Sequence, residues 1–245
     1  MAEAKDRFDY LRAHGPTPFA FSFADAFPAP DEAAIRATEG DDRLRILLAQ
    51  LDGAWEMLDA RLADRQPWQS EPGGSEPTLT DEEYFWEPVS GCWTLRRRER
   101  ATNGRAYGKG DWVVDYAYPS PQPAPVTTIA WRLCHLALWQ LMRHDYTFGR
   151  HTLTLDDITW PSTAKDAVAF LADSHHQWRT ALDGIGVVDL DTVGRSQMPY
   201  GLDPTVRFVD LLAWTNTEFA HHAAEIACLR DLYRARFEGS ISQAT

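Results

Sequence analysis

The sequence predicts an all-α protein whose core is a bundle of four long helices. In four separate segments, apolar residues recur at three- and four-residue spacing, which is the period of an amphipathic helix. Strands and helices do not alternate along the chain, as they would in a parallel-sheet protein. The chain has 245 residues, of which 44% are hydrophobic and 12% aromatic, so it can bury a sizeable core. These observations favour a helical bundle.

The N-terminal part of the chain differs in composition from the rest. Residues 1–40 hold several prolines and show no sustained periodicity, which predicts an extended leader packed on a single domain, residues 41–245. The first helix is predicted at about 41–65, where these side chains form an apolar stripe: Leu44, Leu47, Leu48, Leu51, Trp55, Leu58 and Leu62. The segment QPWQSEPGGSEPT, from Gln66 onward, is rich in Pro, Gly and Ser and predicts a loop.

A long connection, residues 66–125, separates the first two predicted helices. It contains the segment WTLRRRE, a Gly-rich turn from Asn103 to Gly110, and the segment DWVVDYAY. Two aromatic, β-prone segments on either side of a Gly-rich turn predict a β-hairpin. We therefore expect a hairpin excursion between helices 1 and 2.

The other three helices lie in the second half of the chain. The second is predicted after Pro125, where Thr127 or Thr128 can cap the segment TIAWRLCHLALWQLMRHD. The third is predicted at about 161–182 and the fourth, which is the longest, at about 204–237.

Charge and cysteine content exclude several classes of protein. Lys and Arg number 24 and Asp and Glu number 36, so the net charge is −12, which is the wrong sign for binding nucleic acid or an anionic membrane. The first residues, MAEAKDRFDYLRAHG, are charged throughout and do not resemble a signal peptide, so we expect a cytoplasmic protein. Cys92, Cys134 and Cys228 form no CxxC pair, and we expect three buried thiols rather than disulfides or a cysteine zinc site.

The fourth helix carries two polar residues inside its predicted core face. At about 100° per residue, the apolar face comprises Phe208, Leu211, Trp214, Ile226, Leu229, Leu232 and Tyr233. The polar side comprises Asn216, Arg230, Asp231 and Arg234. Glu218 and His222 fall within the apolar face. A carboxylate in a core is costly unless it is paired or bound to a metal, so some group must balance Glu218.

The spacing of the polar residues suggests that a metal ion is one group that could balance Glu218. Glu218 and His222 are four residues apart and therefore adjacent on the helix, so both can reach one ion. His221 and Glu225 lie beside them as candidates for hydrogen bonds to the ligands. On the second helix, His135 shares its face with four large apolar side chains: Trp131, Leu138, Trp139 and Met142. Two histidines and one carboxylate are typical of catalytic metal sites with open positions, including zinc and non-heme iron sites.

Simpler interpretations remain open for each residue. A single histidine on an apolar face is usually a hydrogen-bonded core residue, and a Glu–His pair one turn apart is often just a hydrogen bond. His175 and His176, on the third helix, are expected to be solvated. Arg132, on the same side as His135, is a candidate anchor for a substrate carboxylate, with Trp131 and Trp139 as further substrate contacts; the simpler alternative for Arg132 is a surface ion pair.

Three segments together resemble a known family. They are EEYFWEPVSGCWTLRRR, TTIAWRLCHLALW and NTEFAHHAAEIACLRDLYR, and they resemble the DinB-like superfamily of metal-binding four-helix proteins over roughly residues 41–236. The resemblance implies a four-helix bundle of the DinB-like type, with His135, Glu218 and His222 as ligands. Many members have a histidine where this chain has Glu218. A shifted register, with His221 and Glu225 as the pair on the fourth helix, is the alternative.

The resemblance also implies a type of chemistry. Characterised relatives include S-transferases and an isomerase that use mycothiol or bacillithiol, in which a divalent metal stabilises the thiolate. We therefore expect one divalent ion, zinc first, with nickel, iron or manganese as alternatives, and a low-molecular-weight thiol as cosubstrate for a small-molecule substrate. The alternatives are a metal hydrolase, a non-catalytic metal- or ligand-binding protein, and a degenerate member whose Glu218 only pairs with a neighbour. A homodimer is left open.

Overall fold

The described part of the protein is mostly α-helical and includes a small β-sheet. The computed structural model describes five stretches of the chain: residues 42–65, 76–101, 106–117, 121–198 and 205–237. The leader predicted at 1–40 lies outside the described residues, as does most of the loop predicted after Gln66.

The described residues contain four long helices and two short ones. They are α1 (Arg43–Leu62), α2 (Asp81–Phe85), α3 (Ile129–Phe148), α4 (Ala164–Leu182), α5 (Val187–Leu190) and α6 (Phe208–Phe237). All four long helices were predicted, with ends a few residues away from those observed. The short helices α2 and α5 were not. None of the described helices is both long enough and apolar enough to cross a membrane.

Threonine side chains fix the starts of three helices. Thr128 accepts a hydrogen bond from the backbone N–H of Trp131 at the start of α3, as one of the two predicted caps. Thr163 caps α4 in the same way. At α2, Thr80 and Glu83 form a reciprocal capping box, a sequence signal that the helix prediction overlooked.

The connection before α3 folds into a three-stranded antiparallel sheet. Its strands are β1 (Leu95–Arg97), β2 (Ala106–Tyr107) and β3 (Trp112–Asp115), in the order β1-β3-β2. Strands β1 and β3 form the predicted hairpin, with Leu95 opposite Val114, and β2 pairs with the other edge of β3. At the end of β3, the carbonyl of Asp115 accepts a 2.6 Å hydrogen bond from the indole N–H of Trp131. The sheet therefore fixes the orientation of one tryptophan on α3.

The long helices pack as two close pairs. Helix α1 packs closely against α6, and α3 packs closely against α4. The two pairs meet where α3 faces α6, and this contact is less extensive than the packing within either pair. We call it the α3–α6 seam.

The buried side of α6 differs from the predicted one. Buried residues recur at alternating steps of three and four: Val209, Leu212, Asn216, Phe219, Ala223, Ile226 and Arg230. The prediction that Asn216 and Arg230 face solvent is wrong, since they are only 2% and 0% exposed. The prediction that Trp214 and Leu232 lie in the core is also wrong, because they are 43% and 51% exposed.

Partners from other helices explain the buried polar residues of α6. The side-chain amide of Asn216 donates to the carbonyl of Leu47 and to the side chain of Gln50, both on α1. The guanidinium of Arg230 lies 3.2 Å from the carboxylate of Glu83, which is itself buried. A buried polar group is tolerated when its hydrogen bonds are satisfied, so these two residues belong in the core.

Two other predictions need correction. His175 is buried between helices and stacks on Trp55 with ring centroids 4.3 Å apart, whereas His176 is exposed as predicted. Cys92 and Cys134 are buried as predicted, but Cys228 is exposed. Both errors arise because burial depends on which neighbouring helix covers a given face.

Candidate metal centre

The three predicted ligand residues converge at the α3–α6 seam. His135 comes from α3, and Glu218 and His222 come from α6, with one potential ligand atom of each lying within 4.8 Å of the other two. Nε2 of His222 is 3.2 Å from Oε2 of Glu218. The rings of His135 and His222 are nearly perpendicular, and their centroids are 4.8 Å apart. The structure thus brings together residues that are more than 80 positions apart in the sequence.

A carboxylate and a guanidinium hold the other side of the His222 ring. Nδ1 of His222 lies 2.6 Å from Oε2 of Glu225, and Arg132 contacts both oxygens of Glu225 at 3.0 and 3.1 Å. An Nη atom of Arg132 is 2.9 Å from the same Nδ1, so this nitrogen could either accept from Arg132 or donate to Glu225. An ionised carboxylate can only accept, and its contact with Nδ1 is the shorter of the two. Nδ1 of His222 is therefore the protonated nitrogen that donates to Glu225, and Nε2 is the nitrogen that faces Glu218 and His135.

This arrangement places a carboxylate on each nitrogen of one imidazole. Such a ring needs a cation between Nε2 and Glu218, either a proton or a metal ion. Burial lowers the pKa of His222, but the hydrogen bonds with Glu218 and Glu225 outweigh burial and raise it above the ordinary value. The hydrogen bond from His222 is the main cause of the lowered pKa of Glu218. Glu218 is thus an ionised carboxylate beside a cationic position, the arrangement that a divalent ion requires.

Glu225 is also ionised. Burial alone would raise its pKa, but the hydrogen bond from His222 and the charge of Arg132 lower it below the ordinary value. Burial lowers the pKa of Arg132, whose guanidinium remains paired with Glu225. The positive charge of Arg132 therefore offsets the negative charge of Glu225, the carboxylate that orients His222.

His135 is in the form that binds metals. Burial, followed by the charges of His222 and Arg132, holds its pKa well below the ordinary value, so its imidazole is neutral. Its Nδ1 is buried and has no hydrogen-bond partner among the described residues. The ring stacks on Trp131 at 4.6 Å, and the sheet fixes Trp131 through the carbonyl of Asp115. Two imidazoles and one carboxylate fit a divalent ion such as zinc, provided that the ion takes the place of the proton on Nε2 of His222.

A second group of possible ligands overlaps the first. His221, His222 and Glu225 also have ligand atoms within 4.8 Å of one another. His221 is largely exposed, with 62% of its side chain accessible, and its Nε2 is 3.5 Å from Glu225. The oxygens of Glu225 are already engaged by Arg132 and His222. The shifted register is therefore geometrically feasible, but its carboxylate has other partners.

A cavity of about 710 Å³ opens beside the first group only. His135, Glu218 and His222 line it, whereas His221 and Glu225 do not. The predicted substrate contacts Trp131, Arg132 and Trp139 are also on its wall. The sequence analysis did not assign four further wall residues to the site: Trp93, Tyr116, Arg143 and Trp214. Trp214 could have been found from the sequence, because it lies four residues before Glu218 and therefore on the same face of the helix.

Comparison with protein families now adds to the geometry. The family model of the DinB superfamily matches residues 50–226, most of the chain. The chain belongs to the DinB superfamily. A second family model, a domain of unknown function (DUF3291), matches residues 1–37. Neither the curated proteins nor the solved structures include a significant match. All residues of the candidate metal centre lie within the DinB superfamily match.

The candidate centre combines two imidazoles with one carboxylate, that of Glu218. Its three potential ligands therefore carry one negative charge. An anionic ligand offsets part of the charge of a divalent ion, so a bound thiol or water is acidified less than in an all-histidine site.

Proposed function

We propose that this DinB-superfamily protein is a metal-dependent enzyme, which activates a low-molecular-weight thiol of the mycothiol or bacillithiol type for transfer to a small electrophile. Its ligands are His135, Glu218 and His222, on a four-helix bundle of the DinB-like type. The proposal rests on one observation, which is the convergence of two imidazoles and one carboxylate on the wall of a large cavity. We expect zinc, with nickel, iron or manganese as alternatives.

The protein's own residues prepare the site. Glu225 and Arg132 fix the ring of His222 so that Nε2 faces the cavity, and Trp131 supports the ring of His135. A divalent ion bound there supplies a Lewis acid that lowers the pKa of a coordinated thiol or water, which yields a nucleophile at neutral pH.

Metal content tests the ligand assignment. We would measure metals by elemental analysis in protein purified without chelators, comparing the wild type with His222→Ala and Glu218→Gln. His176→Ala, an exposed histidine on α4, is the matched control. We expect near-stoichiometric metal in the wild type and the control, and loss from both site variants. A wild type that binds no metal even after reconstitution overturns the proposal.

One further variant, together with Glu218→Gln, separates the alternatives. His221→Ala keeps its metal if His135, Glu218 and His222 are the ligands, and loses it if the shifted register is correct. If Glu218 is only a hydrogen-bond partner of His222, Glu218→Gln keeps its metal as well.

Turnover tests the reaction class. We would follow consumption of a small thiol in the presence of an alkylating electrophile, with metal-loaded wild type and His222→Ala. Turnover that requires both the thiol and His222 supports the proposal. Turnover that needs no thiol indicates a metal hydrolase. Saturable binding of metal or ligand without turnover indicates a non-catalytic binding protein.

A further inference from the structure

The cavity beside the candidate metal centre is long and aromatic. On α3 its wall runs from Trp131 to Arg143, which is about 18 Å at 1.5 Å per residue. Five aromatic side chains other than histidine line it: Trp93, Tyr116, Trp131, Trp139 and Trp214. A volume of about 710 Å³ lies within the range of pockets that enclose drug-sized ligands. The cavity therefore has room for a ligand body beyond the atoms that meet the metal centre.

Two pairs of tryptophans flank His135. On one side, Trp131 stacks on the imidazole and lies 6.1 Å from Trp93. On the other side, Trp139 meets the imidazole edge-on at 6.0 Å and lies 5.0 Å from Trp214 in a T-shaped contact. Trp131 is buried, and its indole N–H donates to the carbonyl of Asp115, so little of its surface remains for a ligand to contact.

The second pair is the accessible one. Trp214 is 43% exposed, although it lies on α6 only one turn from Glu218. An exposed tryptophan at the rim of a cavity leaves a large apolar surface in water, which is a common mark of a ligand-binding surface.

The charged side chains on the described wall each already have a partner. The pairs are Arg132 with Glu225, Arg143 with Ser196, Asp210 with Arg207, and Glu218 with His222. At three of these positions, Arg132, Asp210 and Glu218, a charged ligand body would compete with an existing ionic partner, and at Arg143 it would compete with the hydrogen bonds to Ser196. An uncharged aromatic body can stack without disturbing any of them.

We propose that the cavity binds an uncharged aromatic molecule of one or two fused rings, held against Trp139 and Trp214. Its identification as the electrophile of the reaction rests on the proposed function, but its binding does not. The rings of the ligand gain from offset or edge-on contact with the indoles, as well as from burial of apolar surface.

A matched pair of ligands tests the aromatic character. We would titrate 2-naphthol and decahydro-2-naphthol, its fully saturated counterpart, into metal-free and metal-loaded protein by isothermal calorimetry. We expect 2-naphthol to bind about tenfold more tightly, because only the aromatic rings make favourable contacts with indole faces and edges. Equal affinities, or no binding of 2-naphthol, overturn the proposal.

Variants locate the binding surface. Trp214→Ala should weaken binding of 2-naphthol about five- to tenfold, and Trp214→Phe should weaken it less. Trp86→Ala is the control, since Trp86 contacts Tyr233 and Phe237 and is not on the cavity wall. Unchanged affinity in Trp214→Ala overturns the proposal. Because binding is measured without metal as well, a protein that binds 2-naphthol but no metal refutes only the proposed function.

Discussion

Nδ1 of His222 lies 2.6 Å from Oε2 of Glu225, one turn further along the same helix. This contact fixes which nitrogen of His222 carries a proton and which faces the candidate metal centre. It predicts that Glu225→Gln lowers the affinity for the metal about 10- to 100-fold, as loss of a carboxylate bonded to a ligand histidine does in other sites.

The affinity would be measured by competition with a chromophoric zinc chelator. Asp173→Asn, which makes the same carboxylate-to-amide change at an exposed position on α4, is the control and should leave the affinity unchanged. If Glu225→Gln and the control bind zinc equally well, the hydrogen bond does not position His222.

His175 predicts how stability depends on pH. Burial is the main cause that lowers the pKa of His175 from 6.5 to about 4, and its ring packs against Trp55 and Phe219. As the pH falls below about 6.5, the unfolded chain takes up a proton at this histidine but the folded chain does not. The free energy of unfolding therefore falls between pH 6.5 and about 4, with a contribution of about 2–3 kcal/mol from His175.

Urea unfolding at pH 7 and pH 4.5 would isolate this contribution. We expect His175→Phe to lose less stability between the two pH values than the wild type, because phenylalanine cannot be protonated. His176→Gln, at the exposed neighbouring position, should behave like the wild type. Equal losses in the wild type and His175→Phe would show that His175 is protonated in the folded protein.

Arg230 and Glu83 form a buried ion pair between α6 and α2, with 0% and 2% of their side chains exposed. Removing one partner breaks the contact between two buried charges, although Glu83 keeps Arg234 and Arg230 keeps the more distant Asp64. Glu83→Gln and Arg230→Met should therefore each lower the free energy of unfolding by about 1.5–3 kcal/mol. The double variant Glu83→Gln, Arg230→Met should be more stable than the sum of the single changes predicts. Chemical denaturation at pH 7 measures all three.

Arg236→Met, an exposed change on the same helix, is the control and should alter stability by no more than about 0.5 kcal/mol. Additive single changes would mean that the two charges do not interact in the folded state.

Thiol reactivity should distinguish the three cysteines. Burial raises the pKa of Cys134 to about 12 and also raises the pKa of Cys92, so neither offers a reactive thiolate in the folded protein. Cys228 is exposed. We expect an aromatic disulfide reagent to modify one thiol in the native protein and three after denaturation.

Cys228→Ser should abolish the reaction in the native protein, whereas Cys92→Ser should leave it unchanged. Rapid modification of Cys134 in the native state would mean that its surroundings open easily.

The long helices could be predicted because their signal is local. The apolar period of 3.6 residues marks each of them, and Thr128 caps α3 as its sequence indicates. The contact between Glu218 and His222 was predictable for the same reason, since they occupy adjacent turns of one helix. Even Glu225, as the partner of His222, follows from spacing along a single helix.

What the sequence did not reveal depends on contacts between elements. Asn216 is buried because Leu47 and Gln50 satisfy it, and Arg230 is buried because Glu83 faces it from α2. A helical wheel of α6 contains none of these partners. Trp214 was assigned to the core for a similar reason, because its apolar character indicates burial but not whether a protein residue or a ligand covers it.

The division of the long helices into two close pairs gives the site a mechanical property. His135 belongs to the pair α3 and α4, whereas Glu218 and His222 belong to the pair α1 and α6. Packing is more extensive within each pair than between the pairs, so a small sliding or tilting of one pair against the other would change the spacing between His135 and His222 more than it changes the packing inside either pair. Substitutions far from the site, on any surface where the two helix pairs meet, would then change the distance between His135 and His222 without contacting either residue.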